Sequence, residues 1–250
     1  MTQTTTANFL KSIRQYLWGK NFTEVEIPYL NESLPLEPNL YTFKINNWYL
    51  PTSPEFALKE FLAKNKQNCF SIAHCFRNLE NTGPLHSNEF LMLEWYEINK
   101  NLDDLKLSTQ NLINHFLPNL KFDEFKLNNT NFDNEPDFNQ FFLNEIEPNL
   151  PKDIGIFITG YPSFLSPLAV PNQRFELYIN GIEIANGCEE NTNSKSIKTA
   201  FKNEQKYRQD NNLPTHPYSS EFINNCSKLP PCSGIGLGID RLLSIIESYE

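Results

Sequence analysis

The chain has 250 residues, 39% of them hydrophobic and 20 of them Phe, enough for one large domain, or one domain with a small insertion, around a substantial core. Its 21 Lys and Arg against 30 Asp and Glu give a formal charge of −9 with the basic residues scattered, which excludes the basic stripe of a protein that grips nucleic acid by its phosphates. Five Cys without a C-x-x-C pair point to neither a disulfide frame nor a zinc knuckle; with no signal-peptide pattern and no apolar run near the roughly 20 residues of a membrane span, a soluble cytoplasmic protein is expected.

Asn8 to Lys20 reads as an amphipathic helix with Phe9, Ile13, Tyr16 and Leu17 on one stripe, ended near Gly19. Phe22 to Ile27 alternates as a strand stopped by Pro28, and the Pro- and Asn-rich residues 31–47 hold one short strand near Tyr41 to Phe43. Ser53 with Pro54 opens a helix running from Glu55 to about Lys64. Cys69 to Asn78 is a strand whose one face carries Ser71, Ala73 and Cys75, a row of small residues leading to Arg77; it reads equally as a floor under a flat ligand or as a core strand ending in a solvated Arg. After a polar loop, Phe90 to Ile98 returns with Met92, Glu94 and Tyr96 on one face and Leu91, Leu93 and Trp95 on the other. A helix follows at about Leu102 to Phe116. Residues 117–150 lack a period and read as short helices, so that about 102–150 is expected to form a variable helical insertion in a single 1–250 catalytic domain. Ile154 to Thr159 is a strand, Ser194 to Asn211 a polar helix, and a Gly-rich strand leads into a last helix. Mostly antiparallel strands with separate helices argue an α+β domain.

The stretch from Arg174 to Gly187 is the most informative. Asn180-Gly181 between two alternating runs predicts a hairpin closed by a two-residue type I′ turn. That turn sets Ile179 opposite Ile182, Tyr178 opposite Glu183 and Leu177 opposite Ile184. One face is then apolar (Phe175, Leu177, Ile179, Ile182, Ile184), and the other carries Glu176, Tyr178 and Glu183. Glu176 and Glu183 become diagonal neighbours roughly 7–8 Å apart. Solvation is the ordinary fate of such residues; a Mg2+ site is the alternative, since two convergent carboxylates repel without a cation between them. Strict alternation puts Asn186 on the apolar face, so any role in a site requires a bulge.

Three segments in order resemble the class II aminoacyl-tRNA synthetase core. The first helix and strand ending in Pro28 resemble its dimer-forming motif 1. Cys75-Phe76-Arg77-Asn78, a loop and His86 to Tyr96 resemble motif 2. Gly234-Ile235-Gly236-Leu237-Gly238-Ile239-Asp240-Arg241 resembles motif 3. Thr52 to Glu55, Glu94 to Tyr96, Ser166 to Ala169 and Ile184 to Gly187 resemble the lysyl branch. Motif 1 begins near Met1, so the anticodon-gripping OB-fold of that branch is expected to be absent, and with it anticodon-domain tRNA binding. A core of this kind resembles the elongation factor P lysine ligases.

The resemblance implies a fold, an antiparallel sheet flanked by helices, and a chemistry. The family activates lysine or (R)-β-lysine with ATP as an aminoacyl-adenylate and transfers it to a lysine of elongation factor P. Arg77 would hold the α-phosphate and the acyl carboxylate, and Arg241 the far end of a bent ATP. Glu80, His86 and Phe90 would meet ATP, with Phe90 on adenine. Glu176 and Glu183 would bind Mg2+, Glu176 meeting ATP as well. Glu94 and Tyr96 would meet one amine of the amino acid and Glu55 and Glu190 the other, beside Asn186 and Gly236. Motif 1 implies a homodimer.

Several positions depart from the family pattern: Leu79 where a Glu is usual, Ser87 and Asn88 in the His-Asn-Pro-Glu-Phe run, and Asn191 and Asn193 after the hairpin. Two other readings stay open, a lysine-activating core with another acceptor and a decayed paralogue that binds ATP or an amino acid and regulates a partner.

Overall fold

In the computed structural model, which describes residues 3–79, 83, 87–127, 132 and 135–249, the chain begins with α1 (Gln3–Gly19) and β1 (Thr23–Glu24). A small hairpin, β2 (Lys44–Ile45) and β3 (Trp48–Tyr49), precedes α2 (Glu55–Asn65), β4 (Cys69–Phe76) and β5 (Glu89–Ile98). Next come α3 (Leu102–Phe116), β6 (Lys121–Lys126), α4 (Glu135–Phe141) running into a π turn (Phe142–Ile146), and β7 (Ile154–Thr159). The long hairpin is β8 (Ala169–Ile179) with β9 (Ile182–Glu190), followed by α5 (Ser194–Asp210), α6 (Ser220–Cys226), β10 (Cys232–Gly238) and α7 (Ile239–Tyr249).

One eight-stranded sheet runs in the order β1-β4-β5-β10-β9-β8-β7-β6. Only its two edge pairs, β1 with β4 and β6 with β7, are parallel. The mostly antiparallel α+β class expected from the sequence is the class observed. On one face α1, α3 and α7 bury Ile13, Leu105, Leu112, Ile113, Leu242 and their neighbours against Leu93, Trp95, Leu177 and Leu237 of the central strands. On the other face two smaller clusters form, one from α2, α5 and α6 with Cys69 and Tyr96, the other from α4 and the π turn with Ile156, Ile158 and Tyr178. A cavity opens over that face, floored by the middle strands.

The strongest local patterns appear where the sequence puts them. Helix α3 and strand β7 match their expected bounds, and α2 starts at Glu55 with the Ser53 hydroxyl accepting from its N–H at 3.3 Å. Asn180 and Gly181 both have positive φ, 54° and 77°, as a type I′ turn demands.

Other expectations are corrected. The strand expected over 22–27 is only Thr23–Glu24: it lies at the sheet edge, and after Val25 donates to the Phe70 carbonyl the chain leaves. Tyr41 makes a single bridge to Asn78, while the hairpin strands lie just beyond it at Lys44–Ile45 and Trp48–Tyr49, turned through Asn46 at φ 54°. Residues 121–126, expected in a run of short helices, form edge strand β6; almost all of it is exposed, so no apolar alternation marks it. Ser71, Ala73 and Cys75 are buried and do not line the cavity; its floor comes from the neighbouring strands instead.

The hairpin register holds for Ile179↔Ile182 and Tyr178↔Glu183, then shifts by one residue. Leu177 faces Ala185, not Ile184, and Glu176 faces Asn186. Ile184 is the extra residue of a bulge. Because alternation has period two, one inserted residue turns every later side chain to the opposite face. Asn186, Cys188 and Glu190 thereby join the cavity lining.

Candidate active site

The cavity encloses about 940 Å³, in the range of small-molecule sites. Its lining includes Glu55, Arg77, Phe90, Glu94, Tyr96, Glu176, Glu183, Asn186, Glu190, Gly236 and Arg241, so the structure brings eleven separately chosen residues to one place. The remaining two candidates, Glu80 and His86, lie outside the described residues.

One end of the cavity is acidic. On β5 the Tyr96 hydroxyl donates to Glu94 Oε1 at 2.6 Å. Burial, reinforced by the nearby Glu55 charge, pushes the Glu94 carboxyl well above the usual carboxylate range. Glu190, at the end of β9, is pushed up to about 7 by burial, with Glu55 adding to the shift against the opposing pull of Lys59. Glu37, on the loop after β1, is pushed up to about 8 by burial and by Glu55. Four carboxylates thus meet where water is scarce, and their strained ionisation favours a cationic guest.

Glu37 was missed, because a loop carboxylate has no periodic signal. Lys59 was missed too. Its Nζ lies 2.6 Å from both Glu55 Oε1 and Glu190 Oε2, with the side chain 1% exposed. The pairing with Glu55 is an i,i+4 helix contact and was legible in principle; the one with Glu190 depends on the bulge.

Glycines on alternate positions of β10 keep the floor flat. A methyl group built at Gly234 would stand 2.3 Å from Tyr96 Cε1 and 2.9 Å from Glu190 Oε1. At Gly236 the nearest atom is Met92 Sδ at 3.4 Å, an ordinary contact. Gly234→Ala is therefore expected to displace Tyr96 and Glu190, cost about 1–3 kcal/mol of stability and raise the KM for the amino acid, whereas Gly236→Ala leaves unfolding nearly unchanged. Paired thermal melts and amino-acid titrations check the contrast.

The other end suits a nucleotide. Arg77 leaves β4 with its guanidinium 5.1 Å from the Phe90 ring centroid and its Nε donating at 3.4 Å to the Thr52 carbonyl. A flat base and a phosphate can be met by that aromatic face and that fork. At the start of α7 Arg241 Nη1 donates to the Glu183 carbonyl at 2.8 Å and to Glu183 Oε2 at 3.3 Å. The neighbouring Asp240 accepts from Leu91 N at 2.9 Å, tying α7 to β5.

Between the two ends lies the hairpin pair. Glu176 Oε1 is ion-paired with Arg174, and Oε2 accepts from Tyr161 at 2.6 Å and Tyr178 at 3.1 Å. Burial raises the Glu176 pKa against the pull of Arg174, with the Glu183 charge adding to the rise. Arg174 also donates to Asn186 Oδ1 at 3.1 Å and lies 4.5 Å from the Tyr161 ring centroid. It was missed although it shares a strand face with Glu176. Two carboxylates supply hard oxygen donors of the kind Mg2+ takes alongside substrate phosphates, so the residues fit that ion; Glu183 is the more accessible, and Glu176 already has three donors. Among the described residues no group of three or more His, Cys, Asp or Glu side chains is placed to hold a metal.

Two of the departures have structural work. Asn193 caps α5, accepting from the N–H groups of Lys195 and Ser196, and Asn191 accepts from Asn193 N and donates to the Pro167 carbonyl and Ser196 Oγ. Leu79 is exposed and adopts φ 60°.

Residues 3–250 match the family model of the tRNA synthetases class II (D, K and N). The chain is 30% identical to the elongation factor P--(R)-beta-lysine ligase of Buchnera aphidicola subsp. Acyrthosiphon pisum (strain APS), over 96% of this chain and 89% of that protein. It is 30% identical to the ligase of the same name from Hamiltonella defensa subsp. Acyrthosiphon pisum (strain 5AT), over 98% and 90%. To the elongation factor P--(R)-beta-lysine ligase homolog of Aquifex aeolicus (strain VF5) it is 31% identical, over 97% and 94%. The match over residues 3–250, with relatives of this kind over nearly the whole chain, places this chain in the class II (D, K and N) tRNA synthetase family, as an ATP-dependent ligase that forms an aminoacyl-adenylate.

Proposed function

We propose that this chain activates lysine or (R)-β-lysine with ATP and transfers the acyl group to a lysine side chain of elongation factor P. The observation that carries the substrate class is the set of four carboxylates, Glu37, Glu55, Glu94 and Glu190, with Tyr96 at one end of the cavity. A diamino acid brings two ammonium groups to such a site, and the raised carboxyl pKa values make the pocket receptive to them. The acceptor rests on the names of the relatives described above.

The amino-acid carboxylate attacks the α-phosphorus in line, and pyrophosphate leaves; the lysine amine of the acceptor then attacks the acyl carbon and AMP leaves. Arg77 binds the α-phosphate and the attacking carboxylate together, which aligns them and neutralises charge as it builds. Phe90 stacks on the base and Arg241 holds the distal phosphates. Mg2+ on Glu183, with Glu176 close by, would supply further neutralisation of the phosphates. Glu94 and Tyr96 orient one amine. The exposed Trp18, Tyr29 and Leu30, which flank β1, fit the cover that a homodimer through this segment would give them.

The test is amino-acid-dependent ATP–pyrophosphate exchange with L-lysine, each β-lysine enantiomer and no amino acid. Exchange with (R)-β-lysine or L-lysine, followed by a mass gain on elongation factor P, is the expected result. Exchange without transfer would shift the reading to another acceptor. Folded protein that binds ATP and shows no exchange would make it a decayed paralogue.

A further inference from the structure

Resting on the reading that the acidic end binds a diamino acid, we propose that Lys59 is a positioning residue. From behind the wall it pins Glu55 and Glu190 by one oxygen each and turns two repelling carboxylates into a clamp for a single ammonium group. Glu55 and Glu190 line the cavity, but Lys59 does not. Its Nζ meets Glu55 Oε1 and Glu190 Oε2, both at 2.6 Å, from opposite elements of the fold, α2 and the end of β9. Glu190 Oε2 is fully buried. Glu190 Oε1 stays on the cavity side, 2.9 Å from where a methyl group on Gly234 would stand, with the Cys188 thiol at 3.7 Å. Glu55 lines the same cavity.

Within the clamp, two carboxylates and one ammonium leave one negative charge for a substrate amine to neutralise; Glu37 and Glu94, whose carboxyls burial pushes toward the neutral form, stand beside it. Without Lys59 the pair would carry two charges in a site where Glu190 is 6% exposed, and would lower that cost by splaying or by taking up protons. Burial works against the ammonium of Lys59, yet Glu190 and Glu55 outweigh it and hold its pKa well above the ordinary value. The Lys59 ammonium also lies 6.0 Å from the Tyr96 ring and 5.9 Å from the Phe222 ring, which fix its direction. Tyr96 in turn holds Glu94, so both amine-binding groups are registered against the one lysine.

Lys59→Met keeps the apolar stem and removes the charge. In the exchange assay it is expected to raise the amino-acid KM by on the order of 30-fold, with the KM for ATP changed less than about twofold. Lys59→Ala opens room for a small cation, so methylammonium at tens of millimolar is expected to lower its amino-acid KM severalfold, while the bulkier tetramethylammonium does not. Should Lys59→Met fail to fold, Lys59→Gln, which keeps hydrogen-bond donors without charge, gives the same readout. An unchanged amino-acid KM, an ATP KM that rises in step with it, or a lack of methylammonium rescue would overturn the proposal while the wild-type activity stands. A wild-type protein silent with every diamino acid would instead overturn the reading of the pocket, and this proposal with it.

Discussion

Arg77→Ala is expected to lower amino-acid-dependent pyrophosphate exchange by about 10²–10³-fold while the protein stays folded. The two effects separate because Arg77 has little structural work in the fold. Its Nε makes one long bond, 3.4 Å, to the Thr52 carbonyl, and its guanidinium lies against the exposed edge of the site over Phe90. Among the described residues no carboxylate is ion-paired with it, and its charge is only a lesser influence on the buried Glu37, so removal costs the fold little. In the reaction the same group meets two anions, the α-phosphate and the carboxylate that attacks it. Its fork matches both, and its charge grows in value as the pentavalent phosphorus forms. Arg77→Lys keeps the charge but not the fork, and is expected to recover only a small part of the loss. Exchange rates at saturating ATP, with thermal melts of both variants, provide the check; an Arg77→Ala enzyme within tenfold of wild type would mean that the nucleotide does not lie against this strand.

The elements legible in the sequence are those whose signal is local. Helix α3 has its capping residue Asn101, its acidic first turn and its apolar stripe within 15 residues, and it appears with the expected bounds. The type I′ turn needs two residues and has them. Edge strand β6 buries almost nothing and so carries no pattern to read. Helix α6 spans seven residues, too few for a periodic stripe to declare itself.

The site divides along the same line. Glu94 and Tyr96 lie two apart on one strand, and their shared direction follows from alternation alone. Asn186 and Glu190 face the cavity only because Ile184 is an extra residue in β9, and nothing in the residues 182–190 announces where the pairing slips. Glu37 comes from a loop whose path is set by tertiary contacts: Arg208 of α5, fully buried, donates to the Glu37 and Leu40 carbonyls and so fixes the loop from across the fold. A sequence reading can name the chemistry of a pocket from strands and motifs. It cannot place the loop residues that complete it.

Arg174→Ala is expected to be among the most destabilising single changes in the chain, and it also releases Asn186, whose Oδ1 accepts from Arg174. The Arg174 and Glu176 side chains are 13% and 12% exposed, so solvent screens their pairing little. Removing the arginine leaves Glu176 in its buried position with only the Tyr161 and Tyr178 hydroxyls as donors, beside the charge of Glu183. Breaking a buried pair from one side costs roughly 3–5 kcal/mol. For a protein of this size that corresponds to a fall in Tm of about 6–20 °C. Glu176→Ala is expected to cost less, because Arg174 keeps Asn186 and the face of Tyr161 as partners. The double variant Arg174→Met with Glu176→Met removes both charges and fills the space, and is expected to be more stable than Arg174→Ala. It should also bind Mg2+·ATP less well than wild type, since one of the two carboxylates is gone. Denaturant titrations of the three variants measure the first set of differences, and ATP affinity at varied Mg2+ the last. If Arg174→Ala unfolds within 1 °C of wild type, the ion pair contributes nothing to the fold, and Glu176 is free to serve the metal alone.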